Sequence, residues 1–283
     1  MPRRRPADTA SRAPIMPPLA EPSSWEVPRT WTANGCFETM RAYHGRIFRL
    51  EAHLDRLYAS AQFLGTQAPA DRRGLSRQLI GALRRSGLKE AVVRVALLPQ
   101  RGEAAHPSVV VQPAHPLPAP VYRRGIRIAV VPTRKFAAGG ISPQAKYSAR
   151  LGSVLAIQEA QLRGAEEALF MDASGSVTES TASNFGIVSG GVIQTPPSWL
   201  GLLAGITRDV LEESAGALRL PLEEVPLTRH DLYNADEAFL TSTLKEVLAV
   251  TWIDGRRIAD GRPGQITQRL RSAFRQVVRR ELS

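Results

Sequence analysis

The sequence predicts an α+β fold of two lobes, and three observations support this prediction. The chain has 283 residues with 43% hydrophobic content, which is enough to bury a substantial core. Segments with the alternating apolar pattern of strands occur beside segments with the three- and four-residue spacing of helices. A proline-rich stretch at 113–120 interrupts both patterns, and it is predicted to separate the lobes.

The first lobe is predicted to start after a tail. Residues 1–24 are rich in proline and arginine and lack periodic apolar residues, so we expect a mobile segment there. The small α/β lobe is assigned to 25–112 and begins with a hairpin around the turn His44-Gly45-Arg46. The other elements predicted for this lobe are helices over 51–64 and 75–85, followed by strands over 92–98 and 109–111.

The second lobe follows a linker assigned to 113–121, which is too rich in proline for a helix or a central strand. The large lobe is assigned to 122–283. Its first helix is predicted to bury the apolar residues Leu151, Val154, Leu155 and Leu162. The other elements predicted are strands over 126–131, 168–171, 185–188, 192–195, 237–240 and 247–252, and helices over 205–218 and 266–277.

Composition argues against several classes of protein. The net charge of +11 would suit a polyanion partner, but the arginines are spread along the chain, so we predict neither a nucleic-acid nor a membrane partner. No apolar run approaches the roughly 20 residues that cross a bilayer. The single cysteine, Cys36, fits a reducing cytoplasm. The five scattered histidines predict no metal site.

Two residues indicate carbonyl chemistry. Lys146 is one of four lysines among 37 basic residues, and a lysine amine can form an imine with an aldehyde, whereas arginine stays protonated. Glu179 follows 33 residues later. A carbonyl-seeking amine and a carboxylate suit pyridoxal phosphate, whose ring nitrogen takes an acidic partner.

Five segments in order give a resemblance to a known family. They are residues 46–57, 146–151, 179–185, 203–208 and 241–247. Together they resemble the class IV pyridoxal-phosphate aminotransferases, which include branched-chain aminotransferases, D-amino-acid aminotransferases and aminodeoxychorismate lyases. The resemblance covers about residues 35 to 274. It implies fold type IV, in which the larger lobe has a β-barrel-like core flanked by helices, and it implies a homodimer.

The resemblance also implies roles for individual residues. Lys146 would be the Schiff-base lysine and proton shuttle, Glu179 the partner of the pyridine nitrogen, and Arg56 a ligand of the cofactor phosphate. The alternatives are a solvated surface lysine, a turn or capping carboxylate, and an exposed arginine paired with Asp55 or His53. Further cofactor contacts are implied for Ser183, Asn184, Ile206, Thr207, Ser242 and Thr243.

The helix start at Ile206 and Thr207 suits an anion without any basic side chain, because the first amides of a helix have no partner within it. Without the resemblance, this segment and the one at 242–243 are interpreted as ordinary helix caps.

The implied activity is transfer of an amino group between an amino acid and a 2-keto acid through a lysine aldimine. One alternative is an aminodeoxychorismate lyase that releases 4-aminobenzoate and pyruvate. Another is a non-catalytic homologue that binds the cofactor, because the loop 32–35 replaces the family's Asp-Gly loop.

The substrate side gives mixed indications. Arg94 resembles a carboxylate-facing arginine of branched-chain enzymes, or it is a charge on an edge strand. Leu151 stands where those enzymes have tyrosine, and Leu244 is more similar to the lyases. Residues 101–107 lack the Arg-X-His pair of D-amino-acid enzymes.

Overall fold

The computed structural model describes residues 35–99, 103–133 and 144–283. The predicted tail at 1–24 and most of the loop 32–35 lie outside these residues. The first lobe is a four-stranded antiparallel sheet in the order β2-β1-β3-β4, with two helices on one face. Its elements are β1 (Cys36–Tyr43), β2 (Arg46–Ile47), α1 (Leu50–Phe63), α2 (Arg72–Ser86), β3 (Ala91–Leu97) and β4 (Pro107–Pro113).

The predicted hairpin of the first lobe is confirmed, with β1 paired to β2. Its turn residues His44 and Gly45 both have positive φ, at 52° and 78°. Two consecutive positive φ angles define the turn type whose twist matches that of the flanking strands. The hairpin leads directly into α1, which buries Leu54, Leu57 and Ala61 against the sheet.

The second lobe contains a closed ring of six strands in the order β8-β11-β12-β5-β6-β7, because β7 pairs with β8 again. This ring is the barrel core expected for the lobe. Strands β9 and β10 extend it beyond β8, and β13 pairs with β12. The elements are α3 (Ala119–Arg124), β5 (Ile126–Val130), α4 (Leu151–Leu162), β6 (Glu167–Met171), β7 (Val177–Ser180), β8 (Asn184–Ser189), β9 (Val192–Thr195), α5 (Ile206–Ala217), β10 (Leu222–Glu224), α6 (Arg229–Asn234), β11 (Glu237–Ser242), β12 (Glu246–Ile253), β13 (Arg256–Arg257) and α7 (Gln265–Leu282).

The barrel closes through a short contact between β7 and β8, in which the registered pair is Glu179 and Asn184. Asn184 is in turn paired with Thr241 of β11. Three neighbouring strands therefore place these three residues side by side at one end of the barrel.

Helix α4 does not bury the residues that the sequence predicted. Leu151 is 71% exposed and Leu162 is 88% exposed, and the buried side is formed by the small residues Ser153, Ala156 and Ala160. These residues follow the same three- and four-residue spacing as the large ones. Small side chains let the helix approach the alanine-rich surface of β5 and β6 closely, so the leucine side faces outward.

The proline-rich linker also differs from the prediction, because it contains the start of a helix. Helix α3 begins at Ala119, with Pro120 in its first turn. Proline is tolerated there because the first amides of a helix have no intrahelical acceptor. None of the helices in the described part of the chain is long and apolar enough to span a bilayer.

Candidate active site

Lys146 lies between the two lobes, on a segment that pairs with the start of β1. Its backbone N–H donates to Ser60 Oγ of α1 at 3.0 Å, and its carbonyl accepts from Phe37 N at 3.0 Å. The Lys146 Nζ atom lies 4.9 Å from the centroid of the Phe37 ring. These contacts fix the backbone of Lys146 against the small lobe, and the half-buried side chain lies beside the Phe37 ring.

A buried charge cluster lies beside Lys146. Glu38 of β1 is fully buried and accepts hydrogen bonds from Arg56 Nε at 2.6 Å and Arg56 Nη2 at 2.8 Å. The His53 Nδ1 atom lies 2.8 Å from the second oxygen of Glu38. Burial alone would raise the pKa of Glu38, but Arg56 and His53 outweigh it and hold the pKa well below its ordinary value. Glu38 is therefore an ionised carboxylate that fixes the guanidinium of Arg56.

Arg56 bridges the two lobes. Its Nη1 atom donates to the carbonyl of Ala204 at 2.6 Å, just ahead of α5. Burial would lower the pKa of Arg56, but Glu38, with smaller contributions from Asp209 and Glu179, raises it above the ordinary value. The alternative of an exposed pair with Asp55 is wrong, because the Arg56 side chain is 12% exposed and Asp55 pairs with Arg72.

Helix α5 presents its amino-terminal end next to Arg56. Its N-cap is Gly205, which has no side-chain oxygen to accept from the first amides. Ile206 and Thr207 follow as the first helical residues, and both are buried. The amides at this end therefore offer an anion site beside a guanidinium.

Glu179 lies at the closure of the barrel and is 3% exposed. It belongs to β7, so it is neither a turn nor a capping carboxylate. Tyr147, the neighbour of Lys146, is close enough that the negative charge of Glu179, added to the larger effect of burial, raises the pKa of the tyrosine to about 12. The segment carrying Lys146 and the strand carrying Glu179 therefore meet in one neighbourhood.

Asn184 connects Glu179 to the α5 end. Its Nδ2 group donates to the carbonyl of Leu203 at 2.8 Å. A methyl group added to Gly205 would lie 1.8 Å from the Asn184 Oδ1 atom. Asn184 thus packs directly on the loop that leads into α5, and only glycine leaves room for this contact.

Ser242, the last residue of β11, and Thr243, the first residue of the turn after it, directly follow Thr241, the partner of Asn184. The turn joins two strands, so the helix-cap interpretation of this segment is wrong. Three buried hydroxyls around the closure have no hydrogen-bond partner among the described residues: Ser180, Ser183 and Thr241. Buried polar atoms are nearly always paired, so these hydroxyls are available to a polar ligand.

The two residues predicted to face the substrate differ in their placement. Arg94 lies on β3, the third strand of the four-stranded sheet, and is 8% exposed. It is therefore a buried charge on an inner strand, and the edge-strand interpretation is wrong. It occupies the face of the sheet opposite α1 and α2, because Val93 and Val95 face those helices. Leu151, at 71% exposure, is not part of the buried group.

Sequence reasoning missed Glu38, His53 and Tyr147. The sequence did contain a signal for Glu38. It lies two residues from both Cys36 and Met40 along β1, so it shares their buried face. His53 likewise lies on the apolar side of α1. A charge in an apolar register is informative because it needs a buried partner.

Comparisons with known proteins show which family the chain is similar to. The family model for class IV amino-transferases matches residues 35–253. The branched-chain-amino-acid aminotransferase of Pseudomonas aeruginosa is 33% identical over 258 residues, covering 86% of this chain and 84% of that protein. The D-alanine aminotransferase of Listeria monocytogenes is 32% identical over 257 residues, covering 87% of this chain and 88% of that protein.

A solved structure is also similar. The branched-chain aminotransferase from Thermoproteus uzoniensis, solved with norvaline, superimposes with a TM-score of 0.80 at 35% identity, covering 86% of this chain and 85% of that one. The predicted fold type and the predicted family are both confirmed. The chain therefore belongs to the class IV aminotransferase family and is an enzyme of the aminotransferase type.

Proposed function

We propose that this aminotransferase uses pyridoxal phosphate and acts on small amino acids and their keto acids, with branched-chain amino acids as the favoured substrate class. One observation carries the proposal. Arg56, Glu179 and the open end of α5 converge where the barrel closes, and the segment of Lys146 borders the same place. These groups match those of the cofactor: the cation and the helix end suit its phosphate, the carboxylate suits its ring nitrogen, and the amine suits its aldehyde.

The phosphate would be held by Arg56, by the first amides of α5 and by Ser242 and Thr243. Glu38 occupies the Nε and Nη2 side of Arg56, so the phosphate would receive the remaining guanidinium hydrogens. The partnerless hydroxyls near Asn184 would gain hydrogen-bond partners. The residues present therefore fit the group.

When bound, the cofactor supplies an electron sink for the electrons released as the substrate Cα–H bond breaks. The Glu179 carboxylate would keep a proton on the ring nitrogen, since its burial at the barrel closure excludes water. The Lys146 Nζ atom would carry the proton from the substrate Cα to the cofactor C4′ carbon. The hydrogen bonds from the Lys146 amide to Ser60 and from Phe37 to the Lys146 carbonyl hold the lysine backbone in place for this step.

The substrate class is supported by the similarity to branched-chain aminotransferases. Arg94 would bind the substrate carboxylate, because its guanidinium is buried on an inner strand and carboxylates can pair with a guanidinium bidentately. The similarity to a D-alanine aminotransferase makes D-alanine the second candidate.

We also propose a homodimer, supported by the outward side of α4. Leu151, Val154, Leu155 and Leu162 are between 45% and 88% exposed and form one apolar face. Large apolar faces of this kind are typical of subunit contacts. The face begins five residues after Lys146, which would place a second subunit beside the active site. A cytoplasmic location remains our expectation, which the free and buried thiol of Cys36 fits.

The cofactor proposal is tested by absorbance of the purified protein. Wild type should acquire a near-visible band after incubation with pyridoxal phosphate, and Lys146→Ala should lack it. Lys89→Ala removes an exposed lysine of the other lobe and is the matched control, which should keep the band. A wild type that stays colourless at saturating cofactor would refute the proposal.

The substrate class is tested by a half-reaction screen. Loss of the near-visible band is followed after adding L-leucine, L-glutamate or D-alanine, and 4-aminobenzoate production is measured separately with aminodeoxychorismate. A fast response to L-leucine and L-glutamate supports the branched-chain class. A response to D-alanine alone would assign D-alanine as the substrate instead, and release of 4-aminobenzoate would assign the lyase reaction.

A further inference from the structure

A buried polar cluster outside the proposed cofactor ligands lies at the start of β6. Its centre is the Glu167 carboxylate, whose side chain is 4% exposed. Glu167 accepts hydrogen bonds from Lys245 Nζ at 2.5 Å, from Thr181 Oγ1 at 2.5 Å and from the amide of Ala168 at 3.1 Å. Burial would raise the pKa of Glu167, but the charge and hydrogen bond of Lys245 outweigh it and lower the pKa. The carboxylate is therefore ionised at neutral pH.

The two side chains on Glu167 come from different turns of the site. Lys245 belongs to the turn after β11, and its backbone N–H donates to the Oγ atom of Ser242 at 3.2 Å. Thr181 belongs to the turn between β7 and β8, and is thus flanked by Glu179 and Asn184. One carboxylate therefore joins the turn proposed to hold the phosphate to the turn next to the proposed ring-nitrogen partner.

The backbone holds the second turn through one hydrogen bond across it, from Ser180 N to the Ser183 carbonyl at 2.8 Å, and through a short strand pairing. Strands β7 and β8 are registered through one residue pair, whereas β11 and β12 are registered through five. The carbonyl of Thr181 also accepts a hydrogen bond from Arg150 Nη2 at 2.6 Å, which connects this turn to the segment after Lys146. Side-chain contacts therefore supply much of the restraint on the turn.

Lys245 is an unusual residue for this place, because the chain has four lysines among 37 basic residues. Its side chain is 17% exposed, and nothing in the chemistry proposed for Lys146 uses it. Unlike the broad planar guanidinium of arginine, an ammonium group is a compact charge that fits against a carboxylate already occupied by a hydroxyl and an amide.

We propose that Glu167 and Lys245 are positioning residues. Their ion pair, together with the Thr181 hydrogen bond, sets the distance between the two turns and so pre-forms the cofactor cradle. This inference rests on the proposed function. Groups that orient the ligands of a bound metal ion contribute about 10- to 100-fold to its affinity, and we expect an effect of that size on cofactor binding.

The test compares three variants that separate positioning from stability. Glu167→Gln removes the ion pair but keeps acceptors for Thr181 and Ala168, and it leaves Lys245 without its carboxylate. The double variant Glu167→Gln with Lys245→Met removes both charges, so it should recover thermal stability but not the connection between the turns. Thr181→Val breaks the other contact and keeps the ion pair intact.

The measurements are the dissociation constant of pyridoxal phosphate from absorbance titration, the melting temperature without cofactor, and kcat at saturating cofactor. We expect both Glu167 variants to bind the cofactor about 10- to 100-fold more weakly, with kcat at saturating cofactor falling by a smaller factor than the affinity, and Thr181→Val to show a smaller loss of affinity. The control is Arg124→Met with Glu166→Gln. This ion pair between the end of α3 and the residue before β6 makes no hydrogen bond or ion pair with either turn among the described residues, so cofactor affinity should stay at the wild-type value.

Two results would overturn the inference. An unchanged dissociation constant in the double variant would show that the pair does not position the turns. Affinity that falls only as the melting temperature falls, and returns in the double variant, would show a structural role alone. A wild type that binds no pyridoxal phosphate would instead overturn the proposed function and this inference with it, so the two failures are distinguishable.

Discussion

The close contact between Gly205 and Asn184 predicts that the substitution Gly205→Ala destabilises the protein. At Gly205, φ is −91°, a conformation open to alanine, so Gly205→Ala introduces no backbone strain. On backbone grounds alone, the substitution would stabilise the protein by about 0.4–1 kcal/mol, because alanine has less conformational freedom when unfolded.

The added methyl group changes this stabilisation into a net destabilisation. It would lie 1.8 Å from the Oδ1 atom and 3.0 Å from the Cγ atom of Asn184, so the buried Asn184 side chain must move. The movement breaks its hydrogen bond to Leu203, which contributes about 1 kcal/mol, and crowds a packed site at a cost of about 1–3 kcal/mol. After subtracting the backbone gain, we expect a net destabilisation of about 2 kcal/mol.

The assay is thermal unfolding followed by circular dichroism without cofactor. Gly205→Ala should lower the melting temperature by about 4–8 °C, at about 2–4 °C per kcal/mol. Gly216→Ala is the control in the same helix. No atom lies within 4 Å of a methyl group there, so helix propensity should stabilise the protein by about 0.5–1 kcal/mol. A Gly205→Ala protein as stable as wild type would refute the reasoning.

Three further predictions concern the buried charges and the exposed helix. Glu38→Gln should lower the free energy of unfolding in urea by about 3–5 kcal/mol, because Arg56 is left buried without its carboxylate; a loss below about 1 kcal/mol, the size typical of an exposed pair, would contradict this. Stability should decline as pH falls below the ordinary pKa values of about 6.5 for His53 and about 4.3 for Glu38, since both folded pKa values are lowered and the unfolded chain takes up the protons first. Urea unfolding from pH 7 to pH 4 measures this decline. In Glu38→Gln, the free energy of unfolding should fall less at the acidic end of this range. Val154→Glu should shift the protein toward the monomer in sedimentation velocity, whereas Phe63→Glu, at a similar exposure of 55% against 52%, should leave assembly unchanged.

Much of the fold could be predicted because its signals are local. The strand at 192–195 and the helix that starts near Ile206 follow from alternation, periodicity and a glycine at the helix start. The outward face of α4 could not be predicted in this way. The stripe of Ser153, Ala156 and Ala160 has the same period as the leucines, and only the closeness of the sheet selects the smaller side chains.

The same distinction between local signals and long-range contacts applies to the candidate site. Lys146, Arg56 and Glu179 could be named from short segments of sequence. The bidentate contact between Glu38 and Arg56 depends on α1 packing across β1, and the alignment of Glu179 with Asn184 depends on strand register. Such contacts join distant parts of the chain, so local patterns carry too little information to give them.

The ring of the barrel is completed by one registered residue pair, Glu179 and Asn184, beside the proposed cofactor ligands. A cofactor bound at the proposed site would contact strands on both sides of this pair and would stabilise the closure of the barrel. Removal of the proposed cofactor is therefore expected to make the second lobe more sensitive to proteolysis.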